Sequence, residues 1–376
     1  MRKIFYSIIL LFTVYSYAEK QYLLEGTVGK ATIYMFFEDN SSPTETAIYD
    51  VRYFYKNSLK DIVLSGEKTG NKYVFKFESN DKINETFELS LTQNDNFNGF
   101  WTDAKGLKLP VSFKPFDKSG FLLKEKNNPF LKQFKEDSFD FIKASFIQFK
   151  SDSISIYKGK TIEWFSEKHC NAPYFRLGKG FSDAVKNKIN PILNKYHYQN
   201  ILAQLNCSSS FDYNNGNGIE YSISIHYLDE NLIGYYDFSS YYCGGAHPDF
   251  GGQGILLDLK SGKSYGIDDI LAFDKSVGAN QETNFDAFSK YRSNYFASKI
   301  FALVNKTQHF KKPTNDDDYC DYTDLEFWDF PSWSFTEKGI EFTPIFYRAA
   351  RSCEEPFLVS FSDLRKFKNT KFPYKL

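Results

Sequence analysis

The chain has 376 residues, of which 42% are hydrophobic and 25% charged, and it contains 40 phenylalanines and 27 tyrosines. This composition is typical of a folded protein with an aromatic core, and the length predicts about two domains. The formal net charge of −1 argues against nucleic-acid binding, because proteins that bind nucleic acids concentrate basic residues on one face.

The N-terminal segment MRKIFYSIILLFTVYSYA has the layout of a secretory signal peptide. Arg2 and Lys3 precede an apolar stretch that is short for a bilayer span. We expect residues 1–18 to be removed, with an uncleaved anchor helix as the alternative. Loss of the two basic residues leaves 44 basic against 47 acidic residues, a net charge of −3. The mature chain is therefore expected to be a soluble periplasmic or secreted bacterial protein without a membrane anchor.

Residues 19–117 consist of short strand-like segments separated by turn signals. The segments KYVFKFES and NETFELSLT alternate apolar and polar residues, and NGFWTDAKGLKLPVSF predicts a hairpin whose turn contains Lys105 and Gly106. Regular spacing of such strands predicts an all-β domain, either an antiparallel barrel or a sandwich. We expect its aromatic residues to form the core; a barrel that binds a small apolar ligand is the alternative.

The charged segment 118–137, which contains Asn-Asn-Pro, is the predicted linker to a second domain at 138–376. This domain mixes helical and strand periods. A helix is expected after Ser182, with a kink or break at Pro191. The segment GIEYSISIHYL alternates as a strand, with Ile225 and Tyr227 on one face and Ser224 and His226 on the other. A second helix is expected at 284–305. The fold class is therefore α+β, with an antiparallel sheet and two main helices in the second domain.

All five cysteines lie in the second half of the chain. An oxidising compartment favours two disulfides and one remaining thiol. We expect Cys320 to pair with Cys353, which flank the last predicted strands, and Cys170 to pair with Cys207 across the first helix. No cysteine spacing is CxxC and only five histidines are present, so we expect no metal site and no cofactor.

The segment YYCGGAHPDF (241–250) is a candidate site. Gly244 and Gly245 permit a sharp backbone bend, and His247 is expected to hydrogen-bond that bend. The alternatives are that His247 and Asp249 contribute to a binding surface, or to a catalytic centre, which would need a nucleophile or a second carboxylate nearby.

The segment NDDDYCDYTDLEFWDF interleaves acidic and aromatic residues. Its candidate binding residues are Asp317, Asp318, Tyr319 and Tyr322. Acidic groups attract a basic protein and aromatic rings anchor it, so a lysozyme-like partner fits this pattern. A solvated loop is the alternative. The spacing does not match a calcium-binding EF-hand loop.

The stretch YYCGGAHPDF…GILLDLKSGKSYGIDDIL (241–271) resembles the signature of the domain that ends RsiV-type anti-sigma factors. The preceding stretch APYFRLGKGFSDAVKNKINPIL is similar to the partner module found in the peptidoglycan deacetylase PdaC. The resemblance covers roughly residues 155–370 and implies an extracytoplasmic α+β receptor or accessory module. Some members bind lysozyme, and others lie beside catalytic domains that act on peptidoglycan. Because neither a deacetylase domain nor a transmembrane helix is recognisable, we do not expect an anti-sigma role.

Together these features predict an exported binding protein that recognises a cell-wall-related partner, either a lysozyme-like muramidase or peptidoglycan. We expect it to perform no chemistry of its own and to bind no nucleic acid. One alternative is a peptidoglycan-acting enzyme centred on His247, with Asp249 or Asp258 as the acid. The other is small-ligand binding by the N-terminal β domain.

Overall fold

The computed structural model describes residues 20–42, 45–79, 82–124, 138–207, 218–243, 247–274, 283–314 and 320–376. The predicted signal peptide lies outside these ranges. The protein is α+β, as expected. Its described residues form two compact units: the first contains the chain up to Phe146 together with 205–207, and the second contains 147–204 and the chain from 218 onwards.

The first unit is built around a closed eight-stranded antiparallel barrel, so the barrel alternative is confirmed. Each strand pairs with the next, and β1 closes the barrel by pairing with β8. The predicted hairpin is formed by β7 and β8, with Gly106 in its turn at a φ of +83°. The strands are β1 (Lys20–Val28), β2 (Ala31–Asp39), β3 (Ala47–Tyr55), β4 (Asp61–Thr69), β5 (Lys72–Ser79), β6 (Lys82–Leu91), β7 (Phe97–Asp103) and β8 (Lys108–Pro115).

Aromatic side chains fill the inside of the barrel, because the alternation of each strand directs its apolar residues inward. Tyr22 stacks on Phe37 with ring centroids 4.8 Å apart. The Phe97 ring meets Tyr22 at 5.2 Å and Tyr73 at 5.3 Å. All four rings are buried. The barrel interior is therefore a packed core.

Two short helices, α1 (Lys118–Lys124) and α2 (Ser138–Ser145), belong to the same unit. Phe139 of α2 packs on Phe54 of the barrel with centroids 5.0 Å apart, and Phe121 of α1 contacts Phe141 at 5.5 Å. The first unit thus extends beyond the start of the predicted linker, whose residues 125–137 lie outside the described ranges.

The second unit contains three antiparallel sheets. The strands are β9 (Phe149–Tyr157), β10 (Lys160–Glu167) and β11 (Cys170–Leu177) in the first sheet, β12 (Gly218–Leu228), β13 (Leu232–Tyr242), β14 (Asp249–Asp258) and β15 (Ser264–Tyr265) in the second, and β16 (Ser332–Phe335), β17 (Gly339–Thr343) and β18 (Phe357–Ser360) in the third. The helices are α3 (Asp183–Cys207), whose last three residues belong to the first unit, α4 (Ile267–Ile270), α5 (Phe285–Tyr291), α6 (Ala297–Gln308) and α7 (Phe361–Leu364). A π-helical segment, Arg292–Phe296, joins α5 to α6.

Helix α3 confirms the first predicted helix. The Ser182 hydroxyl accepts a hydrogen bond from the Val185 backbone N–H, as an N-cap does. A kink or a break was expected at Pro191; the helix continues through this residue, so there is no break. Pro191 is exposed, and the carbonyl left without an N–H partner can therefore bond water. The second predicted helix is also found, with Asn284 as the N-cap of α5.

The β12–β15 sheet lies between two cores. One face packs on α3, β10 and β11, and the other packs on α4 to α6 and on the third sheet. A β-bulge between Ile225 and Tyr227 changes the face to which β12 directs its side chains. Tyr227 therefore packs on Phe335 at 4.9 Å, on the face opposite to the one its alternation with Ile225 predicted.

The disulfides confirm one predicted pair and contradict the other. Cys320 and Cys353 are bonded, as expected, with Cα atoms 5.4 Å apart. Cys207 and Cys243 are each disulfide-bonded, whereas Cys170 is a thiol, so the pairing of Cys170 with Cys207 is wrong. The His197 ring lies beside the Ala172 carbonyl, and ten residues of helix, about 15 Å, separate His197 from Cys207. Because Cys170 is only two residues from Ala172, it lies beside a part of α3 that precedes the end of the helix, where Cys207 is.

Within the part of the chain that the structure describes, none of the helices is both long enough and apolar enough to cross a lipid bilayer.

Candidate binding site

The structure describes only part of the glycine-rich loop that the sequence singled out. Gly244 and Gly245 lie outside the described residues. His247 is exposed, and within the described ranges it has no hydrogen-bond partner. Asp249 instead forms an ion pair with Arg351, with Oδ1 and Nη1 2.6 Å apart, and accepts the backbone N–H of Phe250. His247 and Asp249 are therefore not joined in one hydrogen-bonded pair.

Asp258, the other acid considered for a catalytic centre, holds a turn together. Its carboxylate accepts the backbone N–H groups of Lys260 and Ser261 and the hydroxyl of Tyr374. Burial opposes ionisation, but the hydrogen bonds outweigh it and lower the pKa of the Asp258 carboxyl. This carboxylate is thus fully occupied by structural contacts.

The structure likewise describes only part of the acidic segment NDDDYCDYTDLEFWDF. Asp317, Asp318 and Tyr319 lie outside the described residues. Tyr322 is partly buried beside the disulfide, and its hydroxyl donates to the carbonyl of Cys353 at 2.7 Å. Its ring stacks on Phe310 with centroids 4.5 Å apart. The contacts of Tyr322 are therefore those of a core residue.

The end of this segment borders a surface groove with a volume of about 580 Å³, which we call the acidic groove. Its lining residues are Asp324, Glu326, Phe327, Asp329, Phe330, Ile345, Phe346 and Tyr347. Among the described residues, none of its three carboxylates forms an ion pair. Phe330, Ile345 and Tyr347 expose 43%, 38% and 54% of their surface. Arg292 lies near Asp329 and partly offsets its charge. The groove thus combines negative charge, unpaired at Asp324 and Glu326 among the described residues, with accessible apolar side chains.

A second cavity, of about 280 Å³, lies between the β12–β14 strands and the third sheet, and we call it the inter-sheet cavity. It exists because β16 crosses closely over β14: a Cβ on Gly254 would lie 2.0 Å from the carbonyl oxygen of Trp333. Ser332 donates to the Gly252 carbonyl at 2.7 Å and secures the crossing. The cavity therefore lies where the glycines of β14 allow the third sheet to approach closely.

Polar and aromatic side chains meet on the walls of this cavity. On β12 and β13 the even-numbered residues face it, which places His226, Tyr236 and Phe238 there. His226 Nδ1 lies 2.5 Å from the Ser334 hydroxyl, and the Tyr236 hydroxyl lies 2.9 Å from that of Ser332. These hydrogen bonds join the two sheets across one side of the cavity.

Charged groups line the other side. Arg351 lies over the Phe250 ring at 4.4 Å, and its guanidinium contacts Asp249 and Glu354. Glu341 projects from β17 on the side opposite the core residues, and within the described chain its carboxylate has no ion pair or hydrogen bond. The single arginine is thus shared by two carboxylates while a third carboxylate remains uncompensated.

Sequence reasoning placed Ser224 and His226 on one face of β12 but did not identify Tyr236, Phe238 or Glu341 as site residues. The alternation in SWSFTEKGIEFT indicates that Ser334 and Glu341 lie on the faces of their strands opposite to Phe335 and Phe342. It does not reveal which sheet they face, since that depends on the crossing at Gly254. In the described ranges, no group of three or more His, Cys, Asp or Glu side chains is arranged to hold a metal ion.

Comparison with known proteins does not assign the chain to a family. No protein-family model matches the chain, and no curated protein is significantly similar. The crystal structure of a DUF3298 family protein from Pseudomonas aeruginosa PAO1 is similar to this chain at 15% sequence identity, over 60% of this chain and 96% of that one, with a TM-score of 0.29.

Proposed function

We propose that the protein is an exported binding protein whose acidic groove docks a basic cell-wall hydrolase of the lysozyme type, without chemistry of its own. The observation that carries the proposal is the composition of the groove. Asp324 and Glu326 have no cation beside them among the described residues. Asp329 lies near the buried Arg292, which donates a hydrogen bond to its backbone carbonyl. Phe330 and Tyr347 are exposed next to these carboxylates.

This combination suits a basic protein partner. Uncompensated carboxylates accelerate and orient the encounter with a positively charged surface. Exposed aromatic and aliphatic side chains then provide the apolar contacts that dominate binding energy once water is excluded. A partner with arginine or lysine side chains around an apolar patch would complement both features.

Sequence features support the same proposal. The segment 241–271 resembles the RsiV-type domain, some members of which bind lysozyme. The N-terminal segment has the pattern of a signal peptide, and disulfides are typical of proteins that fold outside the cytoplasm. A periplasmic or secreted location is therefore part of the proposal.

The alternatives have less support. An enzyme centred on His247 would need a partner for the imidazole, but His247 is exposed and Asp249 is engaged by Arg351. A ligand inside the barrel would have to displace the aromatic rings that fill it. For these reasons we favour recognition over catalysis.

The test measures binding of residues 19–376 to a basic lysozyme by biolayer interferometry at several salt concentrations. We expect the variant Asp324→Asn/Glu326→Gln/Asp329→Asn to bind at least about tenfold more weakly and to lose most of the salt dependence. A muramidase-inhibition assay with the same two proteins measures whether docking covers the active site of the enzyme.

A charge-matched control separates the groove from the net charge of the protein. Glu67, Glu220 and Asp286 are exposed and have no ion pair among the described residues. The variant Glu67→Gln/Glu220→Gln/Asp286→Asn should therefore bind as the unmodified protein does. Equal weakening by both triple variants, or no lysozyme binding at micromolar concentration, would contradict the proposal. Binding to purified sacculi in its place would identify peptidoglycan as the partner, and release of soluble fragments would indicate an enzyme.

A further inference from the structure

We propose that the inter-sheet cavity is a binding site for an organic cation, namely a primary ammonium or guanidinium group on an apolar stem, with Glu341 as its counter-ion. The cavity of about 280 Å³ is at the small end of ligand pockets. It is therefore suited to one extended side chain or a small amine rather than to a larger ligand.

The charges of the cavity select the sign of the ligand. Arg351 is the only cationic side chain among the lining residues, and its guanidinium already contacts Asp249 and Glu354, at 2.6 Å and 3.1 Å. An anionic ligand would have to compete with these carboxylates. Glu341 has no such competitor among the described residues, so a cation gains an ion pair without breaking one.

The neutral polar groups have little left to offer a ligand. The hydroxyls of Ser332 and Tyr236 bond each other, and Ser332 also donates to a backbone carbonyl. Ser334 bonds His226, whose other ring nitrogen lies 2.8 Å from the Ser224 hydroxyl. A sugar-like ligand, which needs many free donors and acceptors, is therefore disfavoured relative to a single charged head group.

The aromatic walls suit the stem of such a cation. Phe238 and Phe250 lie 6.1 Å apart and form an apolar surface, and Tyr236 continues it. Aromatic faces attract ammonium and guanidinium groups as well as packing against methylenes. Arg351 already lies over Phe250 at 4.4 Å, which shows that this wall accepts a cation.

The cavity also adjoins the acidic groove, because Ile345 lines both. Two sources of the cation follow. One is a lysine or arginine side chain of the docked partner, in which case the inference rests on the proposed function. The other is a free small amine, which requires no protein partner.

The test titrates the unmodified protein with cadaverine and with agmatine by isothermal calorimetry, and with pentanoate as the anionic control. We expect both amines to bind and pentanoate not to bind. Glu341→Gln should weaken amine binding at least about tenfold, equivalent to about 1.4 kcal/mol. Thr343→Phe, which adds a ring to the cavity-facing side of β17 and leaves Glu341 in place, should weaken it as well. Glu220→Gln is the charge-matched control.

These titrations contain no protein partner, so their result is independent of the lysozyme experiment. If Glu341→Gln also weakens lysozyme binding, the cation is a side chain of the partner; if lysozyme binding is unchanged, the ligand is a free amine. The inference is overturned if neither amine binds at about 10 mM, or if both bind equally well to Glu341→Gln and Thr343→Phe variants that retain the circular dichroism and melting temperature of the parent.

Discussion

Acidic side chains have different surroundings in the barrel and around the third sheet of the second unit. In the barrel, buried Asp39 accepts hydrogen bonds from Lys68 and Tyr73, at 2.7 Å and 2.6 Å. Buried Glu85 accepts from Tyr53 and from a tryptophan indole. In the second unit, by contrast, the carboxylates of Glu341, Asp324 and Glu326 have no cation beside them among the described residues. Carboxylates with hydrogen-bond partners stabilise the fold, whereas carboxylates without a cation at a cavity or groove are available to bind a cationic ligand.

The pKa values of the barrel carboxylates follow from these contacts. For Asp39, burial opposes ionisation, but hydrogen bonds from Lys68, Ser41 and Tyr73 outweigh it and lower the pKa. For Glu85, burial dominates and raises the pKa, although hydrogen bonds from Tyr53 and Trp101 oppose the shift. Both carboxylates therefore depend on their neighbours, and removing a neighbour should destabilise the unit. The carboxylates of Glu341 and the acidic groove should lack this dependence.

The largest expected effect is at Lys143, a fully buried lysine that lies 2.6 Å from Asp61. Burial raises the pKa of the Asp61 carboxyl, and the Lys143 ammonium opposes that shift. Lys143→Met leaves Asp61 buried with only Arg52 at 4.0 Å to replace its nearest cation. We expect the first unit to lose about 3–5 kcal/mol of its free energy of unfolding, measured by urea denaturation.

The control for Lys143 is an exposed ion pair of the same barrel. Lys114 lies 3.7 Å from Glu25 and exposes 70% of its side chain, so Lys114→Met should cost less than about 1 kcal/mol. The double variant Lys143→Met/Asp61→Leu should recover part of the lost stability. Equal effects of the two lysine variants would show that burial does not distinguish these pairs.

An intermediate effect on stability is expected at His197, a buried residue of α3. Its Nε2 donates to the Ala172 carbonyl at 2.7 Å, and its Nδ1 lies 3.2 Å from an Arg176 nitrogen. Burial, together with the Arg176 charge, lowers the pKa of His197 from 6.5 to about 3. The unfolded chain therefore binds a proton between these values while the folded chain does not.

Stability contributed by neutral His197 is thus fully present above pH 6.5 and lost as the pH falls towards 3. The expected slope is about 1.4 kcal/mol per pH unit, measured by denaturant titrations across this range. His197→Gln should remove this slope. The same substitution at exposed His247 is the matched control for the loss of an imidazole. A slope that persists in His197→Gln would assign it to other groups.

Much of the fold follows from sequence periodicity, because side chains alternate faces in a strand and repeat along a helix. The alternation in KYVFKFES and NETFELSLT predicted strands of an all-β domain, and the two main helices begin near their predicted starts at Ser182 and Asn284. The bulge beside Tyr227 was missed, because an extra residue in one strand changes its face without altering composition.

The site was harder to predict than the fold. His247 and Asp249 attracted notice because glycines surround them, yet neither lines the inter-sheet cavity. Glu341 stands in an ordinary alternating strand, and only the crossing of β16 over Gly254 turns it towards the cavity. Such long-range packing leaves no local signal in a single sequence. The wrong Cys170–Cys207 pairing has the same origin, since the spacing in the sequence does not show which part of α3 lies beside Cys170.

The smallest expected effect completes the contrast with the barrel. Glu341→Gln, and the triple substitution of Asp324, Glu326 and Asp329 to their amides, should each change the melting temperature of the second unit very little, corresponding to about 0.5 kcal/mol or less. The reason is that none of these carboxylates forms an ion pair among the described residues. An amide oxygen can still accept the Glu326 N–H at position 324 and the Ser293 hydroxyl at position 329. The lost attraction between Asp329 and the buried Arg292 acts in the opposite direction. A small gain in stability would fit best, because repulsion between neighbouring carboxylates would be removed. A loss comparable to that of Lys143→Met, measured by differential scanning fluorimetry, would show that these groups support the fold and would remove the basis for treating them as a recognition surface.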